Sequence, residues 1–398
     1  MPINIIDKKE CNGCNACFDA CSDAQAIRFE IDKEGFWYPK VDLDKCTDCG
    51  LCEKVCPELN ADSPKLKVGK EPIVYAARHK DKEVIKDSTS GGIFTAFAEL
   101  FYQMGGYVGG AVYDDDFNIK HIVTNDINDL PKLRSSKYAQ SDLTGFHASV
   151  KALLRKGEKV LVCGTPCQMA GLRLFLRKPY ENLLILDFIC RGINSPKVYQ
   201  KHLNSLEKKF GSKINYLKAK NKELGWRSLT FKATFENRDS YYAKGKEDNF
   251  TRGYLQTGNI TRVSCFDCKF KKNPRIADIT IGDFWGVEKV APELDDNLGT
   301  SLIMCNTDQG LNYFQALNNI EFKKVMLEDI VPGNRALYES IDSSVIDRDK
   351  FFDDLEHYDF EQVANKYFPK KYESKVLKKI KKIIKKINRP GDKGYDFG

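Results

Sequence analysis

Histidine is scarce in this chain, and the few present form no catalytic pattern. His79, His121, His147, His202 and His357 fall in no H-E-x-x-H or nucleophile–base arrangement, no Walker loop occurs, and no G-x-G-x-x-G follows a strand-like run. Hydrolysis and phosphoryl transfer thereby lose most of their support. No apolar run approaches the roughly 18 residues that a membrane span requires. The opening residues, MPINIIDKKECNGC, lack the charged, apolar and small-residue segments of a secretion signal, so the expectation is a cytoplasmic chain without transmembrane spans. The body also lacks a basic excess. Residues 370–398 hold 11 Lys/Arg against 3 Asp/Glu, a surplus of +8 beside a whole-chain charge of +7, which leaves the other 369 residues near −1. With no positive surplus to meet phosphates, nucleic-acid binding by the body is disfavoured.

Cysteine is what the chain has in excess. It holds 14, and eight of them fall in the first 56 positions. In a reducing compartment such a number points to metal or redox chemistry rather than a disulfide framework. Cys11, Cys14, Cys17 and Cys21 have the spacing C-x2-C-x2-C-x3-C, and Cys46, Cys49, Cys52 and Cys56 repeat it; Pro57 closes the second copy where Ser22 follows the first. That is the two-cluster bacterial ferredoxin pattern. Three thiols spaced by two residues can wrap one iron–sulfur cube from a tight loop, and the fourth comes from the other half. By that rule Cys11, Cys14, Cys17 and Cys56 hold one 4Fe–4S cluster, and Cys46, Cys49, Cys52 and Cys21 hold the other. Zinc prefers two C-x-x-C pairs per ion and suits three thiols in one short loop poorly. Between the runs, AIRFEIDKEGFWYPKVDL alternates about Glu34-Gly35 and predicts a β-hairpin.

With 42% hydrophobic residues, the chain can fill the cores of two or three domains. Residues 60–72 read as a linker. Beyond it an apolar strand leads through STSGG into a helix carrying Ile93, Phe94, Phe97, Leu100 and Phe101 at helical spacing, with Asp87, Ser88 or Ser90 as candidate cap. Paired glycines at a helix start suit a cofactor pyrophosphate, and the same residues serve equally as an ordinary cap. GYVGGAVYDDDFNIKHIVT predicts a hairpin turning at Asp114 to Asp116, and SDLTGFHASVKALLRKG a helix capped by Ser141 or Asp142; LRSSKYAQS between them reads as a polar surface loop.

The segments EKVLVCGTPCQMAGLRLFLRK and ENLLILDFICRGINSPKVYQKHLNSLEKKF each give a strand, a short loop and a helix. Together they predict a parallel βαβα unit, whose ligands gather at the carboxyl ends of the strands. Cys167 and Cys190 lie just past those ends, while Cys163, inside its strand, is expected to pack. Cys265 and Cys268 form a lone C-x-x-C, half of a metal site. The four thiols together predict a third tetrathiolate site, for a 4Fe–4S cluster or for zinc, with a redox dithiol at the C-x-x-C as the other reading. Cys305, ending SLIMC, is expected in the core.

At the far end, SKVLKKIKKIIKKINRPG places Val376, Leu377, Ile380, Ile383, Ile384 and Ile387 on one helical face with lysines opposite. Such a helix suits an anionic membrane surface, giving peripheral contact, or docking onto protein.

Taken in order behind the two-cluster module, STSGGIF, SKYAQS, GTPCQMAGL, CRGINS, SCFDCKF and ADITIGDFWG make the chain resemble the family of coenzyme F420 hydrogenase/dehydrogenase beta subunits over roughly residues 1–305. The resemblance implies FAD and a third cluster. The α/β architecture so expected is a two-cluster ferredoxin module (1–60), a mixed α/β flavin- and cluster-binding domain in two parts (73–150 and 151–367) and a basic amphipathic tail (368–398). Carried over by position, Ser90, Gly91 and Gly92 would face flavin phosphates, Lys137, Tyr138, Gln140 and Ser141 would line the flavin, and Ser88 and Thr165 join the cofactor-binding set. Asp283 and Trp285 are the candidate catalytic residues, or else a strand-end turn with a buried tryptophan. The implied function is an oxidoreductase passing electrons between a ferredoxin-type donor, the clusters and FAD to a small-molecule substrate, coenzyme F420 or a related acceptor. A non-catalytic adapter within a larger redox complex is the alternative, and a cluster-based redox sensor a third reading.

Overall fold

A computed structural model describes residues 6–342 and 347–370; the basic amphipathic stretch at 376–387 lies outside the described residues. In the N-terminal module, β1 (Ile27–Ile31) and β2 (Trp37–Val41) form an antiparallel hairpin with Ile27 opposite Val41. Asp32 closes its turn, accepting the N–H groups of Glu34 and Phe36 at 3.0 Å each, and Gly35 supplies the required positive φ of 83°. Each cysteine run leads into a short helix, Ala16–Ala20 and Leu51–Lys54. The sequence repeat is also a backbone repeat. Gly13 (φ 67°) and Asn15 (62°) are left-handed in the first loop, and Asp48 (51°) and Gly50 (66°) occupy the matching positions of the second. Only Gly, Asn and Asp take that conformation readily, and it curls each loop around its thiols.

The body is built on a mixed sheet of eight strands. In chain order they are β3 (Ile73–His79), β4 (Tyr107–Tyr113), β5 (Ile119–Thr124), β6 (Val160–Gly164), β7 (Leu183–Phe188), then β11 (Ile279–Asp283), β12 (Ser301–Cys305) and β13 (Ile320–Val325). The spatial order is β13-β3-β12-β11-β7-β6-β4-β5, with the four strands from β11 to β4 parallel and the flanks antiparallel. The expected βαβα unit is its centre: β6, the helix Pro166–Leu176, β7 and the helix Pro196–Phe210. Val160, Val162 and Ile185 pack with the layer containing the helices Phe146–Arg155 and Pro166–Leu176. Their neighbours Leu161, Leu184 and Leu186 pack on the opposite side with the helix Ile93–Gln103. Strands covered on both faces need apolar residues at every position, which is why these segments read as continuous greasy runs. Cys305 lies in the second of these layers.

A feature absent from the sequence reading is a separate antiparallel sheet, β8 (Ile214–Asn221), β9 (Thr230–Phe235) and β10 (Ser240–Lys244). With the helices Asn249–Gln256, Arg348–His357 and Phe360–Tyr367 it forms its own core around Phe231, Phe235, Phe351 and Phe352.

Both expected helix caps are replaced. The helix Ile93–Gln103 starts at Gly92, with φ 84° and no side-chain cap. Asp87 instead ends the short helix Lys82–Asp87 and is held by Arg134 at 2.8 Å and Lys218 at 2.5 Å. Ser88 donates to the Val84 carbonyl and Ser90 to that of Thr300, so neither hydroxyl turns to the helix start. The helix Phe146–Arg155 is capped neither by Ser141 nor by Asp142 but starts at Gly145. Its leading amides are met from the ferredoxin module: Asp19 accepts the N–H groups of Gly145 at 2.8 Å and His147 at 2.9 Å. The helix dipole favours a carboxylate there, and local spacing cannot reveal a cap supplied from more than a hundred residues away.

The module is docked rather than merely tethered. Arg262, fully buried, donates to the Cys11 carbonyl at 2.7 Å, to Gln140 Oε1 at 3.0 Å and to the Trp37 carbonyl at 3.1 Å, with its guanidinium 4.1 Å over the Tyr38 ring. Glu34 receives two bonds from Arg348, at 2.7 and 2.5 Å.

Candidate functional site

The fold brings the twelve cysteines together in three groups of four. Cys11, Cys14, Cys17 and Cys56 line one cavity of about 360 Å³. Cys21, Cys46, Cys49 and Cys52 line a second, and Cys167, Cys190, Cys265 and Cys268 a third. Cys167 reaches its group from the first turn of the helix Pro166–Leu176, whose start is fixed by a reciprocal cap between Thr165 and Gln168. Cys190 follows β7, and Cys265 and Cys268 come from the loop that Arg262 anchors.

These thiols are poor anions in their own surroundings. Burial, then crowding by Cys14, Cys11 and Cys56, pushes the Cys17 thiol well above its usual range. Burial and the neighbouring Cys265 raise Cys190 to about 12, and burial raises Cys265 to about 11. Four thiolates confined together need positive charge at their centre, and a cluster's iron ions provide it. The donor sets therefore fit iron–sulfur clusters. Hydrogen-bonding groups are in place to tune them: the Ile193 N–H donates to Cys265 Sγ at 3.4 Å, and Thr165 Oγ1 lies 3.2 Å from Cys167 Sγ.

Three of the cavities adjoin one another. Asn12 borders both the first and the third thiol group, and the segment Cys190–Ile193 borders both the third group and a cavity of about 590 Å³. At the other end, Cys49 is exposed to solvent. The large cavity runs along the carboxyl ends of β6, β7 and β11, where open parallel sheets bind ligands. Ser88, Ser90 and Gly92 line it, with Lys137, Tyr138, Ser141, Thr165, Asp283 and Trp285. LRSSKYAQS is thus cavity wall rather than plain surface loop. Two residues expected there are elsewhere. Gly91 lies against the sheet, its N–H bonded to Ser301 Oγ at 2.9 Å and no room for a Cβ, which would come 2.6 Å from the Ala77 carbonyl. Gln140 turns away to Arg262. Cys163, expected to pack, does pack against the core layer of the helix Ile93–Gln103 and also borders the cavity, with burial raising its thiol to about 12. Lys137 aims its ammonium at the carbonyls of Lys132, Leu133 and Arg134, at 2.6, 3.2 and 3.1 Å, capping a short helix.

Asp283 is fully engaged: one oxygen accepts Lys220 Nζ at 2.7 Å and the other the Trp226 indole N–H at 3.1 Å. Trp226 in turn stacks on Trp285 at 4.5 Å between ring centres. Lys220 is the cavity residue that motif reading missed. It lies on β8 between Lys218 of the same strand and Lys222, one residue past the strand's end. Lys218 and Lys222 clamp the turn before the helix Ile93–Gln103, donating to the Asp87 carbonyl at 2.6 Å, to the Ile85 carbonyl at 2.7 Å and to that of Ser90. The alternation in KAKNK was the available signal. Arg134, Lys137, Arg191 and Lys220 line the cavity against Asp283, and Arg191 Nε is buried without a partner. A cationic lining, an unmet donor and an uncapped helix start fit an anionic cofactor such as FAD.

Residues 157–329 match the family described as the C terminus of the coenzyme F420 hydrogenase/dehydrogenase beta subunit, and residues 10–60 match the 4Fe-4S dicluster domain. The chain thus carries, behind a 4Fe-4S dicluster domain, the C-terminal domain found in coenzyme F420 hydrogenase/dehydrogenase beta subunits. The chain is similar to the coenzyme F420-dependent sulfite reductase of Methanocaldococcus jannaschii, 30% identical over 180 residues that make 44% of this chain and 27% of that protein. It is similar also to one of the subunits of the F420H2 dehydrogenase of Methanosarcina mazei, 21% identical over 197 residues, 47% of this chain and 54% of the relative. The chain thus spans about a quarter to a half of the length of these relatives. A chain of the F420-reducing NiFe hydrogenase complex from Methanosarcina barkeri aligns over 81% of this chain and 94% of its own, with a TM-score of 0.44 and 21% identity. The protein is an iron–sulfur electron-transfer protein related to these oxidoreductases. Among the described residues no helix is long and apolar enough to cross a membrane.

Proposed function

We propose that this chain is an iron–sulfur flavoprotein oxidoreductase that exchanges electrons between a ferredoxin-type donor and a small two-electron acceptor, coenzyme F420 or a related molecule. The observation that carries this reading is the shared wall at Cys190–Ile193, which sets the third thiol group directly against the large cationic cavity. When bound, 4Fe–4S clusters supply one-electron carriage, and FAD supplies exchange between one- and two-electron chemistry. The residues do the rest. Cys46, Cys49, Cys52 and Cys21 would hold the cluster nearest solvent, where a donor can approach. Cys11, Cys14, Cys17 and Cys56 would hold the next, and Cys167, Cys190, Cys265 and Cys268 the one beside the cavity. Gly92 and the first amides of the helix Ile93–Gln103 offer donors for a pyrophosphate, with Ser88 and Ser90, their hydroxyls bonded to the Val84 and Thr300 carbonyls, shaping the wall beside them. Tyr138, Ser141 and Thr165 supply a mixed apolar and polar wall. Asp283 holds Lys220 in place as the fixed positive charge of the cavity.

The test is anaerobic purification of the whole chain, with iron and flavin measured per polypeptide. Three clusters' worth of iron and one FAD are expected, with the flavin reoxidised by the acceptor in the isolated protein. Zinc at the Cys265 and Cys268 site, or a chain without flavin, overturns the proposal. One relative is a component of a dehydrogenase with several subunits, which favours a second reading, an adapter that passes electrons onward to a partner protein. Reoxidation only in the presence of such a partner would select it. Contact of the basic tail with an anionic membrane surface is part of the same proposal, read by sedimentation with vesicles.

A further inference from the structure

The large cavity contains a buried group that nothing above uses. His121 lies on β5 opposite Ala111 of β4 and lines the cavity. It is 9% exposed, and neither ring nitrogen has a hydrogen-bond partner. Phe146 meets the ring edge-on at 5.1 Å, which fixes its plane without satisfying its polar atoms. Burial, then His147 and Lys137, lowers its pKa to about 3, the nearby Cys163 carbonyl opposing. The imidazole is therefore neutral, with one N–H donor and one lone pair. The Cys163 carbonyl is near enough to oppose the shift but falls short of hydrogen-bond geometry, so the ring is poorly satisfied in a buried site, and an occupant of the cavity can supply the missing partner.

The position of the ring narrows the occupant. A Cβ on Gly164 would stand 3.5 Å from His121 Nε2, and the next residue, Thr165, contacts Cys167 Sγ at 3.2 Å. His121 thus faces the end of the cavity beside the third thiol group. A redox-active ring that exchanges electrons there has to lie at this end. A phosphate calls for donors or cations, which the helix start and the lysines provide. A neutral imidazole carries one donor and one acceptor whose axes diverge, so whichever nitrogen faces the cavity can meet an N–H or a carbonyl on the edge of a heteroaromatic ring where such groups alternate.

We infer that His121 is a binding residue for the redox ring of the cofactor, hydrogen-bonded to the pyrimidine-type edge of an isoalloxazine. This rests on the flavin reading above. The test titrates FAD, riboflavin and ADP into the full-length, cluster-loaded chain depleted of flavin, for wild type, His121→Phe and His121→Gln. Wild type binds FAD and riboflavin. His121→Phe weakens both by about tenfold or more, as the loss of a buried hydrogen bond or two implies, and His121→Gln recovers most of the loss. Unchanged affinity of His121→Phe for riboflavin overturns the inference, whether or not FAD weakens. Weakening for FAD and ADP alone would place His121 at the adenine. Wild type that binds neither FAD nor riboflavin overturns the flavin reading itself, a failure visible without any variant. If His121→Phe does not retain its iron, His121→Leu is read in its place.

Discussion

Lys220 Nζ lies 2.7 Å from the Asp283 carboxylate in the wall of the large cavity, with side-chain exposures of 22% and 11%. Burial alone would lower the lysine pKa, but Asp283 and then Tyr138 outweigh it, and the net value lies above the usual lysine range. A raised lysine stabilises the fold fully below its unfolded value of about 10.4, and the contribution fades as pH climbs through the higher folded value. Lys220→Met strands a largely buried carboxylate, so a loss of about 3 kcal/mol is expected. Thermal melts at neutral pH check this, and the double variant Lys220→Met/Asp283→Leu should melt higher than Lys220→Met alone.

Gly171 lies on the helix Pro166–Leu176, and a Cβ there would stand 3.0 Å from Cys14 Sγ and 3.2 Å from Ala16 Cβ. Gly171→Val should therefore push the Cys14 loop outward and cost the chain the cluster proposed there, while the third thiol group is kept. Iron content falling by about a third, with a retained signal from the site of Cys265 and Cys268, is the expected outcome. Full iron content would show that the loop yields without losing its ligands.

Asp19→Ala removes the carboxylate that caps the helix Phe146–Arg155 from the module. Loss of an N-cap costs about 0.5–2 kcal/mol, and here the loss also loosens the docking of one unit on another. Faster proteolytic cleavage within residues 60–72, with the body still folded, is the expected readout.

Cys21 and Cys56 exchange halves. Cys21 shares its cavity with Cys46, Cys49 and Cys52, and Cys56 shares one with Cys11, Cys14 and Cys17. Cys21→Ser should abolish the outer cluster and spare the inner one, and Cys56→Ser the reverse, as two distinguishable reduction steps in a spectroscopic titration. The opposite pattern would assign each cluster to a single run.

Local rules carried the elements whose causes are local. The hairpin about Glu34-Gly35, the strands β6 and β7 and the interleaved cysteine groups all follow from period, spacing and turn chemistry within short windows. What stayed hidden was supplied from a distance. Nothing near Gly145 announces that Asp19 will meet its amide, and nothing in SKYAQS separates Gln140, turned toward Arg262, from Ser141, turned into the cavity. Cys163 packs as expected, and its place near the end of a buried strand also sets it at the edge of the cavity, which its spacing alone did not reveal. Lys218, Lys220 and Lys222 went unread because no motif contains them, although they recur at every second position.

Arg262 carries one last implication, for how the molecule is assembled. Its side chain satisfies the Cys11 carbonyl, 251 positions earlier in the chain, and it stands three residues before Cys265. During synthesis the first eight cysteines emerge long before this arginine. Iron delivered early meets an N-terminal loop still lacking one of its supports, and the finished geometry is reached only after most of the polypeptide has been made. The finished shape of the Cys11 loop is thereby tied to a residue that is made late.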